Sequence, residues 1–261
     1  MEIWQAIVLG AVQGFAEFLP ISSSGHLILL QHWFGIQENV IFYSVMLHVG
    51  TLIPVVVVLW KEILGLFKKP FNKFWYLVLA TIPAGVVGII FSKVFDLDSV
   101  FANNVWLLAI TFTFTATEMM FSEWRAKKKE LLSPLTAKNA LYMGLGQAIG
   151  VLPGVSRSGS TITAGTIAGV NKEDNANFTF LMSIPIILAA LVLEGYDCIK
   201  EGTIANIDFL PVILGMITAM VCGYIAITFM LKLIKKANYK WFSLYLVLLS
   251  ISVIITSAVG I

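Results

Sequence analysis

The sequence predicts an all-α polytopic membrane protein, an inverted-topology repeat with six transmembrane helices and two re-entrant helix pairs that meet near the membrane midplane. Hydrophobic residues make up 58% of the 261 residues and charged residues only 12%, whereas soluble domains have about 45–50% and about 25%. The mean hydropathy is +0.89. The apolar segments follow the order short pair, three long segments, short pair, three long segments. Basic residues are concentrated in three loops.

The two short pairs predict re-entrant hairpins. The first pair is an apolar segment over 3–19, which stops at Pro20, followed by a second segment over about 26–34. The second pair covers 139–152 and 160–170. Neither member of the first pair reaches the roughly 20 residues that a comfortable span needs. Irregular backbone at membrane depth is tolerated where it is buried in protein or lines a cavity, so each pair is expected to enclose a polar site.

The long segments predict six spans, three in each half of one membrane domain over 1–261. Because three is odd, repeat one (about 1–130) and repeat two (about 135–261) must have opposite orientations, an arrangement that recurs in membrane proteins with central binding sites. The predicted spans cover 40–60, 74–92, 104–122, 175–194, 210–231 and 241–259.

The distribution of charge predicts the orientation in the membrane. Loops 61–73, 122–140 and 232–240 hold 13 of the 17 basic residues. Because cytoplasmic loops are enriched in Lys and Arg, these three loops are assigned to the cytoplasm and both termini to the outside. The first short pair then enters from outside and the second from inside, with the site expected to open to the outer side.

Two polar stretches interrupt the apolar segments and can be aligned with each other. Gln13 stands nine residues before Ser22, and Gln147 stands nine before Ser156. Each stretch combines a proline, a glycine and several serines. The residues expected to contact a substrate are Gln13, Ser22, Ser24, Gly25, Gly154, Ser156, Ser158 and Gly159.

Both stretches precede a predicted helix, which favours an anion site. Free N–H groups and the positive end of the dipole at a helix N-terminus attract anions. Arg157, one of only two arginines, adds a planar fork that suits phosphate oxygens. A bound phosphate or diphosphate fits this set of donors. The alternative is that the arginine stretch is a short polar connector at the membrane surface.

Glu17 indicates a divalent cation beside that anion, because an isolated carboxylate would repel phosphate. Mg²⁺ or Ca²⁺ takes one or two carboxylates together with substrate phosphate. Gln13 lies four residues earlier, on the same helix face, so Glu17 and Gln13 are the predicted metal ligands. The alternative is a carboxylate near a helix end that reaches for water, and Glu118 is interpreted in that way.

Ser23 and His26 are separated by three residues at a loop-to-helix junction, a spacing compatible with contact. A hydroxyl nucleophile activated by an imidazole is a common pair, and histidine can equally act as a general acid for the leaving phosphate. The spacing leaves the nucleophile open between Ser23, His26 and water. His32 and His48 are interpreted as structural.

These motifs resemble those of the bacterial undecaprenyl-diphosphate phosphatase family linked to bacitracin resistance. The resemblance rests on Gln13-xxx-Glu17 with its Ser-Gly-His tail and on Pro153-Gly-Val-Ser-Arg-Ser-Gly-Ser-Thr161. It implies a phosphatase that needs a divalent cation and regenerates the lipid carrier of peptidoglycan synthesis. It also implies catalytic positions at Glu17, Ser23, His26 and Arg157, and a substrate contact at Thr161. Many members have Glu at the position of Gln13, which leaves the metal here with one fewer carboxylate.

Two functions of different class are therefore considered. The first is a lipid diphosphate phosphatase, and the second is a flippase for polyprenyl phosphate or an anion transporter that uses the same pocket. A pocket that only carries an anion has little use for Glu17 and His26. The expected partners are a polyprenyl diphosphate and membrane lipids, with no nucleic acid. Association into a homo-oligomer is left open.

Overall fold

The computed structural model describes residues 1–36, 40–128, 132–200, 207–236 and 238–259. Within these ranges the chain is helical, and its β-structure is limited to one bridge between Ser133 and Val170. The predicted boundary of repeat one near 130, and Lys129 in the second basic loop, lie outside the described residues. The helices are α1 Ile3–Phe18, α2 Ser23–Trp33, α3 Val40–Val58, α4 Trp60–Leu66, α5 Asn72–Lys93, α6 Leu97–Asn103, α7 Leu107–Lys128, α8 Ala137–Ile149, α9 Arg157–Ile167, α10 Lys172–Leu181, α11 Ser183–Lys200, α12 Phe209–Lys236 and α13 Lys240–Val259.

The predicted segments match helices, with corrections at their ends and in one interior. The segment predicted as a single span over 175–194 consists of α10 and α11, which meet at Met182. Pro185 lies in the first turn of α11, where its missing N–H cannot bond back to the preceding helix. Both short helices that follow the polar stretches begin earlier than predicted, at Ser23 and Arg157, because a serine caps each of them.

Five helical stretches are long and apolar enough to cross a membrane, counted over the ranges given above. They are α3, α5, the α10–α11 stretch, α12 and α13. Helix α7 has 22 residues but carries several threonines and glutamates, and it falls below the apolar content of the other five. All seven tryptophans are at least 39% exposed, as expected for residues at a membrane interface. The chain is therefore a multi-pass membrane protein.

Small residues let the helices of the two halves pack closely. A Cβ added at Gly10 of α1 would lie 2.3 Å from the carbonyl oxygen of Gly215 in α12. A second contact of this kind joins the two halves: a Cβ added at Gly144 of α8 would lie 2.4 Å from the carbonyl oxygen of Ala80 in α5. Gly10 and Gly144 each precede the aligned glutamine by three residues. Backbone contact through small residues is the usual way that helices associate in membranes, and here it fixes α1 and α8, which lead into the two polar stretches.

Candidate active site

Helix α1 presents two buried polar side chains near its end. Gln13 is fully buried and Glu17 is 5% exposed. Because they are one turn apart, the Gln13 amide donates to Glu17 Oε2 over 3.0 Å. Helix α1 stops at Phe18, before Pro20, as the sequence predicts.

The loop after α1 is held in a conformation that aims Ser23 at this carboxylate. Ser22 has φ of 69°, a left-handed value that is rare for residues other than glycine and that occurs often at functional sites. Ser22 caps α2 by accepting from the Gly25 N–H over 3.3 Å, and its hydroxyl lies 3.3 Å from that of Ser24. Ser23 then donates its hydroxyl proton to Glu17 Oε2 over 2.7 Å.

The second loop repeats this capping pattern. Ser156 caps α9 by accepting from the Gly159 N–H over 3.1 Å, and its hydroxyl lies 3.2 Å from that of Ser158. In both helices the cap satisfies the third N–H. The first two N–H groups of each helix have no hydrogen-bond partner among the described residues. Unsatisfied groups of this kind are the usual anion donors of a helix N-terminus.

The two loops meet directly. The Arg157 guanidinium forms a close ion pair with Glu17 Oε1. The Ser158 hydroxyl donates to the carbonyl oxygen of Leu19 over 3.4 Å. A Cβ added at Gly25 would lie 2.7 Å from Gly154 Cα, so the first loop has no room for a larger residue there. The structure therefore brings Glu17, Ser23 and Arg157 into one cluster.

His26 lies beside this cluster but does not contact Ser23. Its Nδ1 is 2.7 Å from the carbonyl oxygen of Ser22, and its Nε2 is 2.7 Å from the hydroxyl of Tyr245. Because a carbonyl oxygen only accepts, Nδ1 carries a hydrogen and a neutral ring accepts the Tyr245 hydroxyl at Nε2. The contact between Ser23 and His26 that the spacing allows is not formed, because both ring nitrogens are engaged elsewhere and Glu17 holds the serine.

Two residues expected to contact substrate are engaged by the protein. Thr161 is 1% exposed and donates to the Arg157 carbonyl oxygen over 2.8 Å. Gly154 has φ of 83°, and its carbonyl oxygen accepts from Thr115 over 3.4 Å. A Cβ added at Gly154 would lie 1.9 Å from the Thr111 hydroxyl oxygen. Gly154 therefore shapes the turn before Arg157, while Thr161 fixes the first turn of α9.

Three residues that were not assigned to the site from the sequence border the cluster. Tyr245 of α13 holds His26, and His48 of α3 lies 3.6 Å from Glu17 Oε2. Glu118, which the sequence assigns to the vicinity of water, is half-buried and accepts from the Ser160 hydroxyl over 2.7 Å. An ionisable residue inside a predicted span was the available signal for Glu118. The spacing of Tyr245 carries no comparable signal.

The predicted metal ligands lie together, and one of them has a free atom. Glu17 and Gln13 share a hydrogen bond, while Gln13 Oε1 is buried and has no partner among the described residues. Buried polar atoms are rarely left without a partner. A cation or a water would satisfy this oxygen, so the donor set fits. No group of three His, Cys, Asp or Glu side chains suited to a metal occurs within the described ranges, so substrate oxygens would have to complete the coordination.

Comparison with known proteins places the chain in a family. Residues 6–252 match the family model described as bacitracin resistance protein BacA. The chain belongs to the BacA family. Every candidate site residue from Gln13 to Thr161 lies within the matched range.

Relatives of this BacA-family chain carry the name undecaprenyl-diphosphatase. The protein of that name from Carboxydothermus hydrogenoformans is 38% identical over 100% of this chain and 99% of its own length. The one from Treponema denticola is 40% identical over 95% of this chain and 94% of its own length. The one from Methanobrevibacter smithii is 38% identical, with 94% of each chain covered.

Proposed function

We propose that this BacA-family protein hydrolyses undecaprenyl diphosphate to undecaprenyl phosphate and inorganic phosphate, which recycles the lipid carrier for cell-wall synthesis. The observation that carries the proposal is the cluster in which Ser23 and Arg157 both contact Glu17, in front of two capped helix N-termini. The names of the relatives support the same reaction and do not favour the flippase.

In this proposal the Ser23 hydroxyl is the nucleophile and Glu17 is its base. As Ser23 Oγ attacks the terminal phosphorus, its proton passes to Glu17 over the existing 2.7 Å hydrogen bond. The bond between this phosphorus and the bridging oxygen breaks, and undecaprenyl phosphate leaves. Water then attacks the phosphoserine, the bond between phosphorus and Ser23 Oγ breaks, Glu17 returns its proton to that oxygen, and inorganic phosphate is released. Phosphoryl transfer depends mainly on positioning and charge stabilisation, and these residues supply both.

Arg157 and the helix N-termini stabilise the charge that develops on the phosphoryl oxygens. In the structure Arg157 contacts Glu17 through one terminal nitrogen, which leaves further N–H donors of its fork for phosphate. The free N–H groups at the starts of α2 and α9 add donors that need no reorganisation. His26 holds the first loop through the Ser22 carbonyl, and we assign it the role of orienting Ser23.

A divalent cation, Mg²⁺ or Ca²⁺, belongs to this proposal. Glu17 and Gln13 are the residues that would hold it. The cation would neutralise diphosphate charge beside the Glu17 carboxylate. The free Gln13 Oε1 supports this assignment.

The finer membrane arrangement is also proposed. Helix α7 is taken as the sixth span, and the pairs α1–α2 and α8–α9 as re-entrant hairpins of two inverted repeats. The basic loops are placed in the cytoplasm and the site is open to the outer side. A cysteine at Ser133 should then be shielded from an impermeant thiol reagent in intact cells, while one at Val100 should be labelled. The reverse labelling would invert the assignment.

The reaction is tested with purified protein in detergent micelles, where no membrane separates two sides and phosphate release reports hydrolysis alone. Wild type should release phosphate from undecaprenyl diphosphate, and Glu17→Gln should lose most of that activity while it stays folded. Excess EDTA should stop turnover, and added Mg²⁺ or Ca²⁺ should restore it. No phosphate release with any of these ions would exclude the proposed reaction.

A further inference from the structure

The ring of His48 faces the Glu17 carboxylate, although the sequence suggested only a structural role for it. His48 lies in α3, and its side chain is 28% exposed. Its Nε2 lies 3.6 Å from Glu17 Oε2, the oxygen that also accepts from Ser23 and Gln13. The other carboxylate oxygen is engaged by Arg157.

The hydrogen bond at the far side of the ring fixes which nitrogen of His48 faces Glu17. His48 Nδ1 is 2.7 Å from the carbonyl oxygen of Ser44. A carbonyl oxygen only accepts, so Nδ1 carries a hydrogen, and the neutral ring has its lone pair at Nε2. In the neutral ring this lone pair faces a buried carboxylate oxygen, and a cation between the two atoms would satisfy both of them, whereas in the protonated ring an N–H would face the carboxylate instead.

Gln13 contacts the same carboxylate oxygen and has an amide oxygen without a partner. Gln13 is fully buried, and its amide is anchored on the same Glu17 oxygen through Nε2. Its Oε1 has no partner among the described residues. The carboxylate and the imidazole nitrogen therefore face each other, and the Gln13 amide, which contacts the same carboxylate, has an oxygen that is free to bind; each of these groups is a common metal ligand.

The separation between His48 and Glu17 suits two ligands of one ion. A distance of 3.6 Å is longer than a direct hydrogen bond between nitrogen and oxygen. Nitrogen and oxygen ligands that each lie about 2.0–2.2 Å from one metal stand roughly 3–3.6 Å apart at angles between 90° and 120°. His48 thus lies where a ligand would, without a change in the fold.

We propose that His48 is a third protein ligand of a divalent cation, with Glu17 and Gln13. This inference rests on the proposed function, since phosphate oxygens of the diphosphate and water would complete the coordination. An imidazole nitrogen in the set shifts the preference from Ca²⁺, which favours oxygen ligands, toward first-row transition ions such as Mn²⁺.

Pulsed electron paramagnetic resonance of Mn²⁺ tests the ligand directly. Wild type is loaded with Mn²⁺ and methylenediphosphonate, a diphosphate analogue that is not hydrolysed, and ¹⁴N modulation from a bound imidazole is recorded. His48→Gln should lose the modulation and bind Mn²⁺ about tenfold or more weakly. His32→Gln is the matched control, because His32 lies exposed in the last turn of α2, and it should keep both. Labelling wild type with [¹⁵N]histidine should replace the ¹⁴N signal without any substitution.

The outcomes separate this inference from the proposed reaction. Three results would each overturn the role of His48. The first is modulation that persists in His48→Gln, the second is bound Mn²⁺ without nitrogen modulation in wild type, and the third is no Mn²⁺ binding in wild type. A protonated His48 that only pairs with Glu17 gives the second of these results. Phosphate release is measured on the same wild-type preparation, so a functional phosphatase without a nitrogen ligand refutes only the inference. A nitrogen-ligated ion without hydrolysis refutes only the reaction.

Discussion

Arg157 offers the most informative perturbation, because one side chain holds the buried carboxylate and faces the expected phosphate. Its side chain is 16% exposed and that of its partner Glu17 is 3% exposed. A purely structural arginine and a catalytic one therefore predict different results for the same substitutions.

Arg157→Lys should fold and lose most of its activity. Lysine keeps the charge beside Glu17 but lacks the planar fork and is more strongly hydrated. Loss of one donor to a developing oxyanion costs about 2.7–4 kcal/mol, or roughly 10²–10³ in kcat. The loss should appear chiefly in kcat, since the contact strengthens in the transition state.

Arg157→Ala should in addition destabilise the fold. Breaking a buried ion pair by removing one partner costs about 3–5 kcal/mol, and the lower end applies here because Ser23 and Gln13 still donate to Glu17. For a chain of this size each kcal/mol lowers Tm by about 2–4 °C, so Tm should fall by on the order of 10 °C.

The assay measures kcat, KM and Tm for both variants in the same detergent. Arg125→Lys is the matched control, since Arg125 is the only other arginine and lies in the last turn of α7. It should match wild type in all three quantities. A stable and fully active Arg157→Lys protein would remove the arginine from the mechanism, and an Arg157→Ala protein as stable as wild type would refute the buried-pair argument.

Three further substitutions test the site. Ser23→Ala should lower kcat by about 10² or more, since it removes the proposed nucleophile together with its base contact, whereas Ser24→Ala should keep most activity; similar modest losses in both would favour attack by water. Tyr245→Phe should lower kcat and change its pH profile, because it removes the hydroxyl bonded to the histidine. Tm should fall by only a few °C, since one buried nitrogen loses its partner, and an unaltered pH profile would contradict that role. Gly25→Ala should abolish activity and lower Tm, because the added methyl would meet the second loop at 2.7 Å. Gly85→Ala is the control and should be neutral or slightly stabilising, because nothing lies within 4 Å of a methyl added there. Equal Tm values for the two alanine variants would refute the close approach of the loops.

Local signals explain why much of the fold was predictable from sequence. The long apolar segments and Pro20 are local signals, and they indicated the helices and the end of α1. The starts of α2 and α9 were predicted too late, because the capping roles of Ser22 and Ser156 were not recognised in the sequence. The errors have local causes as well. Met182 marks a break inside a segment that was predicted as one span. The available signals were the polar composition of Lys172–Leu181 and Pro185 three residues after Met182, and the prediction used neither as a break.

The sequence identifies the site residues whose charge is unusual in a membrane segment. It does not identify contacts that depend on backbone conformation or on how distant helices pack. Glu17 and Arg157 are charged residues in apolar segments, so the free-energy cost of placing a charge there marks them as functional candidates. The partner of Ser23 was not fixed by spacing, since both His26 and Glu17 lie close in sequence and the φ of Ser22 decides between them. Long-range contacts of His48 and Tyr245 depend on how α3 and α13 pack, which no local pattern encodes.

The stereochemical course at phosphorus distinguishes attack by Ser23 from attack by water. The terminal phosphorus of the substrate is made chiral with sulfur and an oxygen isotope, and the reaction is run in isotopically labelled water. Attack by Ser23 followed by hydrolysis of the phosphoserine gives two in-line displacements, so net retention of configuration is expected in the released thiophosphate. Net inversion would show that water attacks in a single step and would contradict the nucleophilic role assigned to Ser23.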